Sequence, residues 1–280
     1  MTQRLTIISL GLLGGSVAMA VRERISGCRI VGCAHREGSL TKAKAAGLLD
    51  GWSLDPAAAV AEADLVLLCM PVRQIPLWLA AIGPHLPPGC VVSDVGSTKA
   101  AIVAAGEAAV RPPAFFVGSH PMAGSEKSGI DAARADLFDG ATCIVTPTPA
   151  SDTAAAARVE SFWRTLGCRL VRHAPGEHDR LVALVSHLPH AAAAAIALVQ
   201  ESASLALHGK GFLDTTRIAV GDPTLWTDIL LENGTHVVAG IDRLQDELAR
   251  LSLVIQSQDP DVLGRWLAGA AEKAASVRPA

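Results

Sequence analysis

Leu5-Thr6-Ile7-Ile8-Ser9-Leu10-Gly11-Leu12-Leu13-Gly14-Gly15-Ser16 is the stretch whose reading decides the fold. Residues 5–10 are a short apolar and β-branched run, which reads as a buried strand. The glycines after it read as a tight turn, and residues 13–25 as a helix. A strand, a glycine turn and a helix at the start of a βαβ unit form a dinucleotide-binding signature. Here it is one residue short of Gly-x-Gly-x-x-Gly, because Ser9 stands where the first glycine is expected. Gly11 would let a pyrophosphate approach backbone N–H groups at the helix N-terminus, and Gly14 would let helix and strand pack closely. Gly11, Leu12, Leu13 and Gly14 are therefore candidate cofactor contacts. Serine tolerates positive φ poorly, so an altered turn is expected at Ser9.

The same alternation continues to about residue 172. Residues 29–34, 64–70, 90–94, 115–118, 142–146 and 169–172 read as strands, separated by helical stretches at 40–46, 56–61, 72–82, 98–110 and 154–166. Unbroken apolar strands imply burial on both faces. The expectation is an α/β fold: an N-terminal Rossmann-type doubly wound sheet, largely parallel. From His178 onward the β pattern disappears. Residues 179–207 read as a long alanine-rich helix, Asp222-Pro223 as a helix start and Asn233-Gly234 as a stop. Val237, Ile241, Leu244, Leu248, Leu251 and Ile255 then recur at alternating spacings of four and three, which makes one helix face apolar. That stripe is either core within the domain or the seam of a homodimer. The expected border lies near Pro175-Gly176, with a dinucleotide-binding domain at 1–175. An all-helical C-terminal domain for substrate binding and dimerisation would occupy 176–280.

Composition narrows the class. Of 280 residues, 50% are hydrophobic and 18% charged, so the chain can bury a large core and is not a disordered tail. Net charge is −3 with no basic stripe, which argues against nucleic acid as a partner. No unbroken apolar run reaches the ~18–20 residues of a membrane span. Six cysteines without a Cys-x-x-Cys pair read as small buried hydrophobes of a reduced, cytoplasmic protein, not as a disulfide frame or metal site. Arg4, the apolar stretch 5–17 and Ala18-Met19-Ala20 loosely match a signal peptide; the strand–turn–helix reading is preferred because it explains the glycines.

The end of the second strand informs on the cofactor. A carboxylate there would bind a ribose 2′-hydroxyl. Instead Cys33-Ala34-His35-Arg36 carries no acid and two basic groups. His35 and Arg36 could accept a 2′-phosphate, so NADP stands beside NAD.

Further motifs lie where strands end. They are Asp94-Val95-Gly96-Ser97-Thr98-Lys99 and Gly118-Ser119-His120-Pro121-Met122-Ala123-Gly124-Ser125-Glu126. His178-Asp179, Ser186-His187-Leu188-Pro189-His190 and Asp214-Thr215-Thr216-Arg217 follow in the helical region. Together with the glycine turn, these motifs resemble, in order and over about residues 4–270, the prephenate/arogenate (cyclohexadienyl) dehydrogenase family of tyrosine biosynthesis. The resemblance implies an oxidative decarboxylation with hydride transfer to NAD or NADP. The product would be 4-hydroxyphenylpyruvate or tyrosine.

It also implies roles. His120 would take the substrate hydroxyl proton, a task suited to a histidine with a pKa near neutrality. Ser97 would bond the same hydroxyl or orient His120, unless it merely caps a helix. Arg217 would bind a substrate carboxylate in two places, unless it pairs with Asp214 or Asp222. At least one of His187 and His190 would touch substrate. His178 would contact the site or simply start a helix. Glu126 and Lys127 are either solvated loop charges or a gate. With few aromatics and no tyrosine, the substrate ring is expected to be held by polar and charged groups. Prephenate and arogenate differ only in a side-chain keto or amino group, so the substrate stays open between them. Two alternatives are a β-hydroxyacid-type dehydrogenase and a catalytically silent nucleotide sensor. The first is disfavoured because residues 179–197 contain no lysine.

Overall fold

The computed structural model describes residues 2–125 and 127–277. Two compact units divide the chain, Met1–Gly234 and Thr235–Ala280. In the first, six strands form a parallel sheet: β1 (Arg4–Ile8), β2 (Arg29–Cys33), β3 (Gly51–Ser53), β4 (Leu65–Leu68), β5 (Val91–Asp94) and β6 (Phe115–Phe116). Their order is β3-β2-β1-β4-β5-β6, with the switch in direction of winding between β1 and β4. Such a switch leaves a crevice at the carboxyl ends of the strands.

Alternation explains why the strands are apolar throughout. Leu5, Ile7, Leu65 and Leu67 join one buried cluster with Val17 and Val21 of helix α1 (Leu12–Arg24). Ile8, Val66 and Leu68 join the other, with Leu79 of α4 (Ile75–Ile82) and Ile102 of α5 (Ala100–Ala109). Between these helices lie α2 (Glu37–Ala45) and α3 (Pro56–Val60). All six cysteines are buried, in the small-apolar role expected of them.

The expected strand at 115–118 breaks at Val117. Its N–H still bonds Val92 of β5, but the next residues form β7 (Gly118–Pro121), which leaves the large sheet. β7 pairs antiparallel with β8 (Thr142–Thr146), and β8 pairs parallel with β9 (Arg169–Arg172). Gly118 permits the crossing, since a Cβ there would lie 2.5 Å from Thr146 Oγ1. The second sheet carries His120 and is backed by α6 (Thr153–Thr165), whose Trp163 is fully buried.

Every described element after β9 is helical. The long helix expected at 179–207 is interrupted. α7 (Pro175–Val182) passes through a π-helical turn at Ala183–His187 into α8 (Leu188–Leu198), and α9 (Ser202–Leu205) is separate. Pro189 has no N–H for the regular ladder, and the wider turn before it absorbs the mismatch. Pro175–Leu198 is long and apolar enough to cross a membrane by length and composition. It also carries His178, Asp179 and His187 buried and hydrogen-bonded. α10 (Lys210–Thr216) and α11 (Pro223–Glu232) follow. In the second unit the chain forms most of α12 (Gly234–Gln256) and then α13 (Pro260–Ala275), whose Trp266 donates to Glu247 of α12 at 2.7 Å.

Candidate active site

At the turn, Ser9 takes the left-handed conformation itself, with φ of 75°. Its N–H donates to Cys33 O at 2.8 Å, and its carbonyl faces Gly14, where a Cβ would lie 2.1 Å from Ser9 O. Ser9 is held from both sides, which offsets the cost of positive φ in a non-glycine residue. Gly11 caps α1 with open space where a Cβ would stand, and α1 has no acid in its first turn. Ser9, Gly11, Leu12 and Leu13 form one wall of a cavity of about 660 Å³. Room at Gly11, the N–H groups of the first helical turn and the lack of an acid there fit a pyrophosphate. His35 and Arg36 lie outside this cavity's lining, beyond β2; the His35 ring packs on Trp78 at 4.6 Å, and Arg36 stands at the start of α2.

His120 lines the opposite wall and is 7% exposed. Its Nδ1 lies 2.9 Å from His178 Nε2, and His178 Nδ1 lies 2.8 Å from Asp179 Oδ1. Asp179 also accepts the backbone N–H of Lys99 at 2.7 Å and of Ala100 at 2.9 Å. This carboxylate therefore caps α5, the role considered for Ser97. Ser97 lines the cavity and makes no hydrogen bond to His120. Burial, reinforced by His178, Lys99 and His187, holds the His120 imidazole well below its ordinary pKa, not near neutrality as expected. Burial also lowers His178, against the opposing pull of Asp179. For Asp179, burial alone would raise the pKa; bonds from His178 and the two backbone N–H groups outweigh it.

Beneath these groups Lys99 and Asp94 form a fully buried ion pair. Lys99 Nζ also donates to Ser119 O at 3.0 Å, while Asp94 accepts Gly96 N–H at 2.8 Å and Ser119 N–H at 3.2 Å. The pair ties the end of β5 to β7 and so holds the Ser97 turn beside His120. A pair this dry survives because further hydrogen bonds satisfy both ions.

The third wall comes from the helices. His187, in the π-helical turn, is 1% exposed and lines the cavity; its Nδ1 lies 3.1 Å from Asn233 Nδ2, and its Nε2 is buried without a partner among the described residues. Burial lowers its pKa to about 4. His190 does not line the cavity. It stacks on Trp226 at 3.5 Å with an 11° tilt. Trp226 itself does line the cavity, so an aromatic ring stands beside the polar and charged groups expected to hold the substrate. Arg217 lines it too and, among the described residues, pairs with neither Asp214 nor Asp222. Lys127 is exposed at the rim; Glu126 lies outside the described residues.

Sequence reading missed Asp179, Asn233, Lys99 and Trp226 as parts of one site. The signals were faint. Asp179 and Lys99 sat inside quoted motifs without a role, Asn233 read as a helix stop, and Trp226 is a single aromatic one turn into α11.

Residues 17–172 match the family model for the nucleotide-binding domain of prephenate dehydrogenase, and residues 174–269 that for its dimerization domain. A cyclohexadienyl dehydrogenase of Zymomonas mobilis is 34% identical over 93% of this chain and 91% of its own length. The structure of an Aquifex aeolicus prephenate dehydrogenase in complex with hydroxyphenyl propionate and NAD+ superposes with a TM-score of 0.92 at 30% identity, covering 99% of each chain. A Synechocystis arogenate dehydrogenase superposes at 0.85 with 29% identity, over 98% of this chain and all of the other.

Proposed function

Because this chain belongs to the prephenate dehydrogenase family, we propose that it is an NAD(P)-dependent oxidoreductase that oxidatively decarboxylates prephenate, arogenate or both. The observation that carries the chemistry is His120: a cavity-lining imidazole with one nitrogen engaged by His178 and Nε2 left for substrate.

The bound dinucleotide supplies the hydride acceptor. The chain's residues do the rest. Gly11, Leu12 and Leu13 cradle the pyrophosphate, Gly14 lets α1 pack close against Ser9 O, and Arg36, with His35 beside it, is the candidate partner for a 2′-phosphate. His120, neutral at physiological pH, accepts the hydroxyl proton as carbonyl character develops. Ser97 bonds the same hydroxyl. Arg217 and His187 hold the carboxylates on the helical side, and Trp226 covers the ring. His190 supports Trp226 from behind. Loss of carbon dioxide makes the ring aromatic, so orientation is the larger part of the enzyme's task.

The division at about residue 175 into a cofactor domain and a helical substrate and dimerisation domain is part of this reading. It is supported by the meeting of the two family models between residues 172 and 174. A homodimer through the helical region and a cytoplasmic location complete it.

The test is direct. Purified protein is assayed for reduced dinucleotide with prephenate and with arogenate, each with NAD+ and NADP+. Turnover with at least one pair is expected; none with any of the four would overturn the reading.

A further inference from the structure

Two histidines face the cavity, and each has one nitrogen committed to the protein. Tracing those commitments inward leads to a single residue, Asp179. Its side-chain oxygens take three donors, His178 Nδ1 and the backbone N–H groups of Lys99 and Ala100. A carboxylate accepting on both oxygens is ionised, so His178 carries its proton on Nδ1. The other nitrogen of neutral His178, Nε2, is then a bare acceptor. It lies 2.9 Å from His120 Nδ1, so that atom must carry a proton. His120 Nε2 is left bare toward the cavity.

The second arm starts at the backbone of the same residue. Asp179 O accepts Asn233 Nδ2 at 2.8 Å, which fixes the amide's orientation. The second hydrogen of that amide points to His187 Nδ1 at 3.1 Å, which therefore accepts. The His187 proton sits on Nε2, a buried atom with no partner among the described residues.

We propose that His178, Asp179 and Asn233 are positioning residues that set the two cavity histidines in opposite tautomers, His120 Nε2 an acceptor and His187 Nε2 a donor. The inference rests on the proposed reaction and deepens it. The acceptor receives the substrate hydroxyl proton. The donor meets an anionic or carbonyl oxygen on the substrate's other side. The positive charge formed on His120 points its Nδ1–H at His178 and is balanced by Asp179 one ring further on. With the tautomers exchanged, both contacts would be repulsive or empty.

The first test needs no variant and no turnover. Nitrogen-15 histidine spectra of the full-length protein at pH 7 report the protonated nitrogen of each ring. Bare Nε2 at His120 and protonated Nε2 at His187 are expected; the reverse at either residue overturns the proposal. Kinetics supply the second arm. His178→Leu removes the acceptor and is expected to lower kcat by about 10²-fold or more, as loss of the correct tautomer does, with KM within about threefold. His178→Gln returns an acceptor oxygen and is expected to recover at least about tenfold of that loss. Equal activity of wild type and His178→Leu, or no difference between the two variants, would sink the proposal. If the wild type turns over no substrate, the spectra still decide the tautomers, so failure of the reaction and failure of the positioning remain separate.

Discussion

At the scale of single residues, the site is organised around buried imidazoles kept neutral. His120, His178 and His187 all have pKa values lowered by burial, His187 to about 4. In an unfolded chain each would titrate near ~6.5. Below that pH the unfolded chain binds protons that the folded chain refuses, so stability falls as pH drops from about 7 toward about 4. For His187 that contribution is up to ~1.4 kcal/mol per pH unit across the window, and the lowered His120 and His178 act in the same direction. Asp179 is lowered from the ordinary carboxylate value, so its stabilisation persists through the same window and is lost only at more acid pH. Urea unfolding at pH 7, 6 and 5 should show a falling midpoint at constant slope, and a flat profile would contradict neutral histidines. Little of this was legible in the sequence. Motifs named His120 and His187 as candidates, but burial depends on which elements cover them, and that is not a local property.

At the scale of elements, the glycine turn and the π-helical turn do most of the positioning. Gly11 and Gly14 serve different ends, and their variants separate them. Gly11→Ala meets open space in the protein, so thermal stability should stay within about 1 °C, while dinucleotide affinity drops by more than about tenfold because the methyl occupies the pyrophosphate's place. Gly14→Ala drives a methyl into Ser9 O, a backbone atom that cannot swing aside, so stability and affinity should both fall. Calorimetric titration with NAD+ and NADP+, paired with thermal unfolding, checks both. If Gly11→Ala keeps wild-type affinity, the turn does not cradle the cofactor. The strands of the large sheet were legible because both faces are buried and the pattern is unbroken. β3 is three residues with only partial burial and left no such pattern. The break at Val117 was invisible because residues 115–119 are apolar or small on either side of it; only pairing with β8 draws the chain into a second sheet.

At the scale of the whole molecule, the helical region exposes more apolar surface than a lone chain needs. Leu198 and Leu207 are each 85% exposed in the first unit, and Leu253 is 66% exposed in the second. Along the α12 stripe, Leu248 and Ile255 are also exposed. Surface of this kind, on a region matching a dimerization domain, fits a second copy of the chain. Sedimentation equilibrium should return twice the chain mass at micromolar concentration. Leu248→Glu should weaken the association by about tenfold or more; a wild-type protein sedimenting as a monomer would refute the homodimer.

By itself the sequence determined the parallel dinucleotide-binding sheet, the change to helices after β9, the family and part of the cavity lining: Gly11, Leu12, Leu13, Ser97, His120, His187 and Arg217. These follow from periodicity and from short motifs, whose information lies within a few adjacent positions. Only the tertiary structure decided the partners: His120 with His178, Asp179 with the start of α5, Asn233 with His187, Trp226 with His190. Those contacts join residues that are, for the most part, dozens of positions apart. Hydrogen bonds and burial act through space, so their strength and direction exist only once the chain has closed on itself.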